Sequence, residues 1–321
     1  METTLATLFY SAPLTPGGRE DNWQCDAASH PPDVISNFLT VGIKVAVGDA
    51  RTAEDLHPTI DACGFQKFDF PTRVDQKDFM NHGAGSIEAY VQETQNLLKD
   101  VLGADEVLHF DTCIRQKDTE APVKLVNNPF VGPYRRVHVD QNPASALARL
   151  KHHARPNREV RRFQIINVWR AFVEPVKNFP LAVLDYRSLD PYADLVVTRR
   201  ILPEWMHERW VQDREGYSLK HREEHRWYHW SALTPEEVVI FKCHDSASKS
   251  LALSHRRAQT AAQGLADGFD TAAMPDAGPS SDNELMDVAG VCPHTAFYDA
   301  SGPTTGHLRS SADLRFLVLY N

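Results

Sequence analysis

The chain has 321 residues, 42% of them hydrophobic and 24% charged, with a formal net charge of −9 at pH 7. A chain of this length, acidic (pI ≈ 5.9) and mildly hydrophilic (mean hydropathy −0.41), can bury a sizeable core as one catalytic domain over residues 1–321. Its negative balance excludes a protein that relies on phosphate-backbone contacts, and no run approaches the roughly 20 apolar residues that span a bilayer.

The start, Met1 to Tyr10, has neither the basic region nor the long apolar stretch of a secretory leader. The five cysteines, Cys25, Cys63, Cys113, Cys243 and Cys292, are scattered and form no Cys-x-x-Cys pair, which fits buried free thiols in a reducing compartment. The expectation is a cytoplasmic protein acting on a small molecule, with no nucleic-acid or membrane partner. A homodimer stays open.

Taken in order, Thr4 to Tyr10 alternates as a first strand, and Pro13 to Pro32 is a turn-rich connection. From Ser86 to Leu102 the apolar positions Ile87, Tyr90, Val91, Leu97, Leu98 and Val101 follow helical spacing, with Ser86 as N-cap and Gly103 just past the end. Such a helix braces the outside of a sheet. Glu106 to Ile114 reads as a strand, and Pro122 to Pro133 as a loop leading to Tyr134-Arg135-Arg136-Val137-His138-Val139-Asp140. Pro143 to His153 reads as a short helix capped by Asn142. Arg155, Arg158, Arg161 and Arg162 read as a solvated basic turn, with contact to an anionic substrate as the alternative.

Beyond this point strands dominate: Phe163 to Val173, Pro180 to Asp185, Leu195 to Arg200, Arg226 to Trp230 and Glu237 to Cys243. Short strands punctuated by turn residues predict a mainly β fold with flanking helices, specifically a double-stranded β-helix, the cupin-like jelly roll, with a site at the mouth between its sheets. Ser254 to Gly290, rich in Ala, Gly, Asp, Ser and Pro, reads as a flexible insertion, with a functional lid as the alternative, and has one helical piece over 256–265. Order returns at Val291 to Tyr298, and Ala312 to Tyr320 is the last strand.

On an extended backbone His138 and Asp140 point to one face, so they can offer an imidazole nitrogen and a carboxylate oxygen to one point. With His294 as third ligand they form the two-His, one-carboxylate facial triad of non-haem iron sites. In a chain with 15 histidines such a pair also arises by chance, so the motif needs support. Arg309 and Ser311 supply it: two apart on a strand, they place a guanidinium and a hydroxyl on one face, a receptor for a carboxylate.

The chain then resembles the CmcJ-like and gibberellin-desaturase-like proteins, which include the AsaB-type hydroxylase/desaturases of secondary-metabolite clusters. The resemblance runs from about Leu5 to the end. It is carried by Val137-His138-Val139-Asp140, Asn167-Val168-Trp169-Arg170, Pro180-Leu181-Ala182-Val183-Leu184-Asp185, His225-Arg226-Trp227-Tyr228, Glu237-Val238-Val239-Ile240-Phe241-Lys242, Asp245-Ser246 and His294-Thr295-Ala296-Phe297. Arg309-Ser310-Ser311-Ala312-Asp313-Leu314-Arg315 looks like the family's Arg-x-Ser-Ile-Glu-x-Arg, and the long 254–290 segment departs from it.

The resemblance implies an iron(II)/2-oxoglutarate-dependent dioxygenase, with His138, Asp140 and His294 on the metal and Arg309 and Ser311 on the distal carboxylate of the keto acid. O2 is the second co-substrate. Hydroxylation, desaturation or oxidative cyclisation of a small natural product or amino-acid-derived precursor would follow. Arg309 is expected to take the keto acid, whereas Arg315, in an apolar run, is expected to pair with an acid at the sheet edge and serve stability.

Asn167, Trp169 and Arg170 are candidates to line the substrate pocket, against a plain core role. Arg226 and Tyr228 are candidates for substrate contact, against a hydrogen bond across the sheet. His225, His229 and His244 read as ordinary polar residues. Two other functions remain open: an accessory subunit partnering a methyltransferase, and a zinc hydrolase using the same ligands.

Overall fold

The computed structural model describes residues 1–15, 22–25, 36–118, 132–155, 159–201, 214–264, 285–303 and 307–321. In chain order, β1 (Thr3–Pro13), β2 (Asn22–Cys25) and β3 (Phe38–Asp49) precede a one-turn helix α1 (Ile60–Cys63), β4 (Phe65–Asp69), α2 (Gln76–Met80) and the long α3 (Ala84–Leu102). Next come β5 (Glu106–Asp118), β6 (His138–Val139), α4 (Pro143–His153), β7 (Arg162–Ala171), β8 (Leu181–Leu184), α5 (Pro191–Asp194), β9 (Leu195–Ile201) and β10 (Arg214–Leu219). The chain ends with β11 (Trp227–His229), β12 (Glu237–Asp245), α6 (Lys249–Gly264), β13 (His294–Ala296) and β14 (His307–Tyr320).

The strands form two sheets, one in the order β1-β3-β11-β8-β13-β6-β10-β9-β2 and the other β4-β12-β7-β14-β5. Period-two alternation divides the residues of the second sheet between two cores. From β7, Phe163, Ile165 and Trp169 face the space between the sheets, whereas Ile166 and Val168 face α2 and α3 with Phe79, Tyr90 and Leu98. From β14, Ala312, Leu314, Phe316 and Val318 face the helices, and Leu317 and Leu319 face the other sheet. The inward positions that precede Leu317 are polar: Arg309, Ser311, Asp313 and Arg315. One end of the sandwich is thus filled with hydrocarbon and the other with charge. This is the expected jelly roll.

Local chemistry explains the element ends that the sequence shows most clearly. Asn142 accepts from the Ser145 amide while Ser145 Oγ accepts from the Asn142 amide, a capping box that starts α4 at Pro143. Gly103, at φ 62, closes α3 in the left-handed conformation. The start of α3 differs from expectation: Gly83 is the N-cap, and Ser86 instead donates to Asp78 at 2.6 Å. Strands β2, β3, β4 and β10 were not expected: β2 lies within the Pro13 to Pro32 stretch read as a connection and pairs with β9, and for β3 the alternation of Leu39, Val41, Ile43, Val45 and Val47 was there to be read.

The 254–290 expectation needs correction at both ends. Helix α6 runs over Lys249–Gly264 rather than starting at 256. At the other end, Met286 pairs with Ser248 in a β-bridge, Ala289 is buried, and its carbonyl accepts from the fully buried Lys242 at 3.0 Å. Residues 265–284 lie outside the described residues, as do 16–21, 26–35, most of the 122–133 loop and the basic positions 156–158. Arg162, in that basic cluster, is no solvated residue: it pairs with Asp245 and with Asp61.

Candidate metal centre

Strand β6 lies between β13 and β10, and His138 is directly opposite His294 in the antiparallel register. Directly opposed residues share a face, so the two imidazoles stand side by side with ring centroids 4.3 Å apart. Asp140 follows two residues after His138. One ligand atom from each of the three lies within 4.8 Å of the others, with both histidines buried.

Each imidazole is held by the same local device. His138 Nδ1 donates to the Arg136 carbonyl at 2.8 Å, and His294 Nδ1 donates to the Cys292 carbonyl at 3.0 Å. A carbonyl only accepts, so each Nδ1 carries the proton and each Nε2 turns a lone pair toward the centre. Burial pushes His138 down to about 3 and lowers His294 as well, keeping both rings neutral. His138 Nε2 is 3.5 Å from Asp140 Oδ1, which has no donor among the described residues. Three acceptors converge with nothing but repulsion between them, an arrangement that a divalent cation satisfies. The donor set fits iron(II), leaving coordination positions open on the far side.

The other oxygen of Asp140 is taken. Oδ2 accepts from Asn167 Nδ2 at 2.8 Å, from β7, and from Arg315 Nε at 3.0 Å, from β14. Burial would raise this carboxyl, but the Arg315 guanidinium holds it well below the usual range. Arg315 also pairs with Asp111 and, at 3.1 Å, with Asp313. It does pair with acids as expected, but not at a sheet edge: β14 lies between β5 and β7, and Arg315 sits at the heart of the site. Its immediate neighbours Leu314 and Phe316 point the other way, toward the helices.

Arg309 is the contrasting cation. It is 3% exposed, donates from Nε to Ser311 Oγ and from Nη1 to the Phe179 carbonyl, each at 2.9 Å, and lies over the Trp169 ring at 5.2 Å. No carboxylate among the described residues pairs with it, and burial together with the nearby Arg115 charge lowers it to about 9. Arg309, Trp169, His138, His294, Phe241 and Arg315 line one cavity of about 360 Å³. Asp313 shares that lining and pairs with Arg115 at 3.5 Å. Ser311 does not line it: fully buried, it anchors Arg309.

Residues 8–267 match the family described as an oxidoreductase/YMDC permease-like domain. The chain is 30% identical over 220 residues to the hydroxylase/desaturase efuI of Hormonema carpetanum, covering 63% of this chain and 71% of that protein. It is 34% identical over 161 residues to the Fe(II)/2-oxoglutarate-dependent dioxygenase nvfI of Aspergillus novofumigatus, covering 49% of this chain and only 53% of that protein. The chain belongs to the iron(II)/2-oxoglutarate oxygenases of fungal secondary metabolism. The fold agrees: a solved structure of the iron and alpha-ketoglutarate-dependent endoperoxidase NvfI superposes with a TM-score of 0.74 at 23% identity, over 100% of this chain and 99% of that one. Among the described residues of this oxygenase no helix is long and apolar enough to cross a membrane.

Not every expected pocket residue of the oxygenase lies at the centre. Asn167 reaches Asp140, and Trp169 lines the same cavity as Arg309 and the two histidines, with its indole N–H buried and unpartnered among the described residues. Arg170, one residue on, faces the helices and donates to Tyr90 Oη at 2.8 Å and to the Phe70 and Pro235 carbonyls, so its role is structural. Arg226 pairs with Asp185 at 3.6 Å and is 53% exposed, while Tyr228 packs near Phe65; both border a surface groove away from the three ligands. His225 bonds Asp194 at 3.0 Å, and His229 and His244 are buried outside the triad.

Sequence reasoning missed a second cavity, of about 480 Å³, on the other side of Asp140 and Arg315, lined also by Asp111, Arg149, Arg200 and Glu215. A smaller opening beneath His138 adds Tyr134 and Arg136 to Arg200. The alternation that put His138 and Asp140 on one face put Tyr134 and Arg136 in the same series, and could have found both.

Proposed function

We propose that His138, Asp140 and His294 hold the iron(II), that Arg309 receives the distal carboxylate of 2-oxoglutarate, and that Ser311 positions Arg309. The observation that carries this reading is the pairing of three converging acceptors with a buried, carboxylate-free guanidinium on one cavity. When bound, the iron with 2-oxoglutarate and O2 supplies an oxidant strong enough to take hydrogen from an unactivated C–H bond. The residues around it hold and exclude. Asn167 and Arg315 fix the Asp140 carboxylate so that Oδ1 alone faces the metal, the two backbone carbonyls fix the imidazoles, and Phe241 and Leu181 wall the cavity against water.

One catalytic domain spans the chain in this reading. Its substrate is a small natural product or amino-acid-derived precursor. The outcomes in view are hydroxylation and desaturation, the two that the name of the relative efuI carries, and oxidative ring closure. A hydrolase or an accessory subunit has no use for Arg309 placed in this way.

Loading the protein anaerobically with iron(II) and then titrating 2-oxoglutarate should develop the charge-transfer absorption of a chelated keto acid. Losing a charge-assisted bond to a carboxylate corresponds to about 10- to 150-fold in affinity, so Arg309→Gln should shift the titration upward by that factor with metal binding kept. An unchanged titration in Arg309→Gln would remove the keto-acid assignment.

A further inference from the structure

We propose that the rim of the centre beside His138 is an anion receptor made by Arg136 and Arg200 around Tyr134, and that the substrate oxidised here is an organic carboxylic acid. The inference rests on the reading of the centre as an iron(II)/2-oxoglutarate site and names the class of its second substrate.

Tyr134 meets the His138 ring edge-on, with centroids 4.5 Å apart. Two guanidiniums gather on this one phenol: Arg200 lies 5.5 Å from its ring centroid, and Arg136 lies 5.7 Å from it and donates to its hydroxyl. Arg136 also stacks on Phe38 at 4.9 Å, and its Nε is buried with no acceptor among the described residues. Stacking fixes a guanidinium plane while leaving its edge donors free for a ligand. Arg200 borders both openings that share Asp140, so its edge faces the space next to the metal ligands.

The charge balance points the same way. Among the described residues, six arginines border the three adjoining cavities, against four carboxylates, Asp111, Asp140, Glu215 and Asp313. Iron(II) and the keto-acid dianion cancel one another, so two positive charges remain after both are bound. Among the described residues no carboxylate lies within ion-pair distance of Arg136 or of Arg200. Arg315, in contrast, is saturated by Asp111, Asp140 and Asp313. An apolar or cationic substrate would leave both rim guanidiniums desolvated without compensation, whereas a carboxylate accepts from their edge donors.

The test titrates the anaerobic iron(II)/2-oxoglutarate holoenzyme with a panel of small aromatic and alicyclic carboxylic acids, each beside its primary amide. Binding is read by calorimetry and by perturbation of the keto-acid absorption. At least one acid should bind about tenfold or more tightly than its amide. Arg200→Gln and Arg136→Gln should each weaken that acid by about 10- to 100-fold, Arg200→Lys should recover part of the loss, and the keto-acid absorption should persist in all three. No acid outbinding its amide, an acid affinity unchanged in Arg200→Gln, or loss of the keto-acid absorption in place of acid binding overturns the proposal. A wild-type holoenzyme that forms no keto-acid absorption fails the underlying reading instead, and the inference falls with it.

Discussion

Two buried carboxylates, one on each face of the β12-β7-β14 layer, show how structure and function separate in this molecule. On the helix-side face, Asp245 has both oxygens occupied. Oδ1 accepts from Arg162 and the Ala247 amide, each at 3.0 Å, and Oδ2 accepts from Arg162 at 2.5 Å, Lys242 at 2.7 Å and Gln164 at 2.8 Å. On the inner face, Asp140 is gripped through Oδ2 alone, and Oδ1 is left facing two imidazole lone pairs. Both sites draw an amide from β7, Gln164 for one and Asn167 for the other. A network that closes on itself holds the fold. One that leaves acceptors converging is built for something added later.

The comparison is broken most severely by removing each carboxylate in turn. Asp140→Ala should abolish keto-acid turnover and lower metal affinity by at least about a hundredfold, beyond what losing a supporting contact costs. The fold should survive, because Arg315 keeps Asp111 and Asp313. Asp245→Ala should do the reverse. It leaves the Lys242 and Arg162 charges undercompensated in a buried place, at a cost of about 3–5 kcal/mol in unfolding free energy. Denaturant unfolding and metal titration of both variants decide it. An unfolded Asp140→Ala, or an Asp245→Ala as stable as wild type, would show that the two networks are not divided in this way.

Arg315 sharpens the contrast, because it belongs to the metal centre through a carboxylate that it does not replace. Arg315→Gln should weaken metal binding by about 10- to 100-fold by freeing Asp140 to rotate. The keto-acid titration, measured with metal saturating, should move much less than in Arg309→Gln. A normal metal affinity in Arg315→Gln would return Arg315 to the purely stabilising role that the sequence suggested.

That earlier expectation shows where sequence reading ends. The spacing of His138 and Asp140 is local geometry, and the Asn142 cap of α4 is local chemistry, so both were legible. Alternation along β7 also says that Asn167 and Trp169 share a face that Arg170 cannot, a distinction available from parity alone. Arg315 looked like a stabilising residue because its acids come from elsewhere: Asp111 from β5, and Asp140 from the residues after β6. Only the register of β14 between β5 and β7 joins them. The 254–290 segment misled for the same reason. Its composition says loop, but the bond from Lys242 to the Ala289 carbonyl, 47 residues apart in the chain, pins its end to the core.

The smallest expected effect lies in the acid limb of stability. Burial pushes the Asp245 carboxyl up, yet Lys242, Arg162 and Gln164 outweigh it and hold the group at about 2, against an ordinary value of 3.8. A carboxyl held low in the folded chain stabilises it wherever the unfolded chain would also be ionised. The stabilisation is therefore fully present above about pH 4 and is lost as pH falls toward about 2, amounting to about 2 kcal/mol. Asp140 is depressed in the same sense, so the two must be told apart by substitution in metal-free protein. Asp245→Asn should be less stable than wild type at neutral pH, and the gap should narrow as the pH is lowered through this window. Denaturant midpoints of metal-free wild type and Asp245→Asn at about pH 6 and about pH 3 measure it. A gap that stays constant between those conditions would mean that Asp245 is not ionised against Lys242 and Arg162, and that the closed network is held by neutral hydrogen bonds.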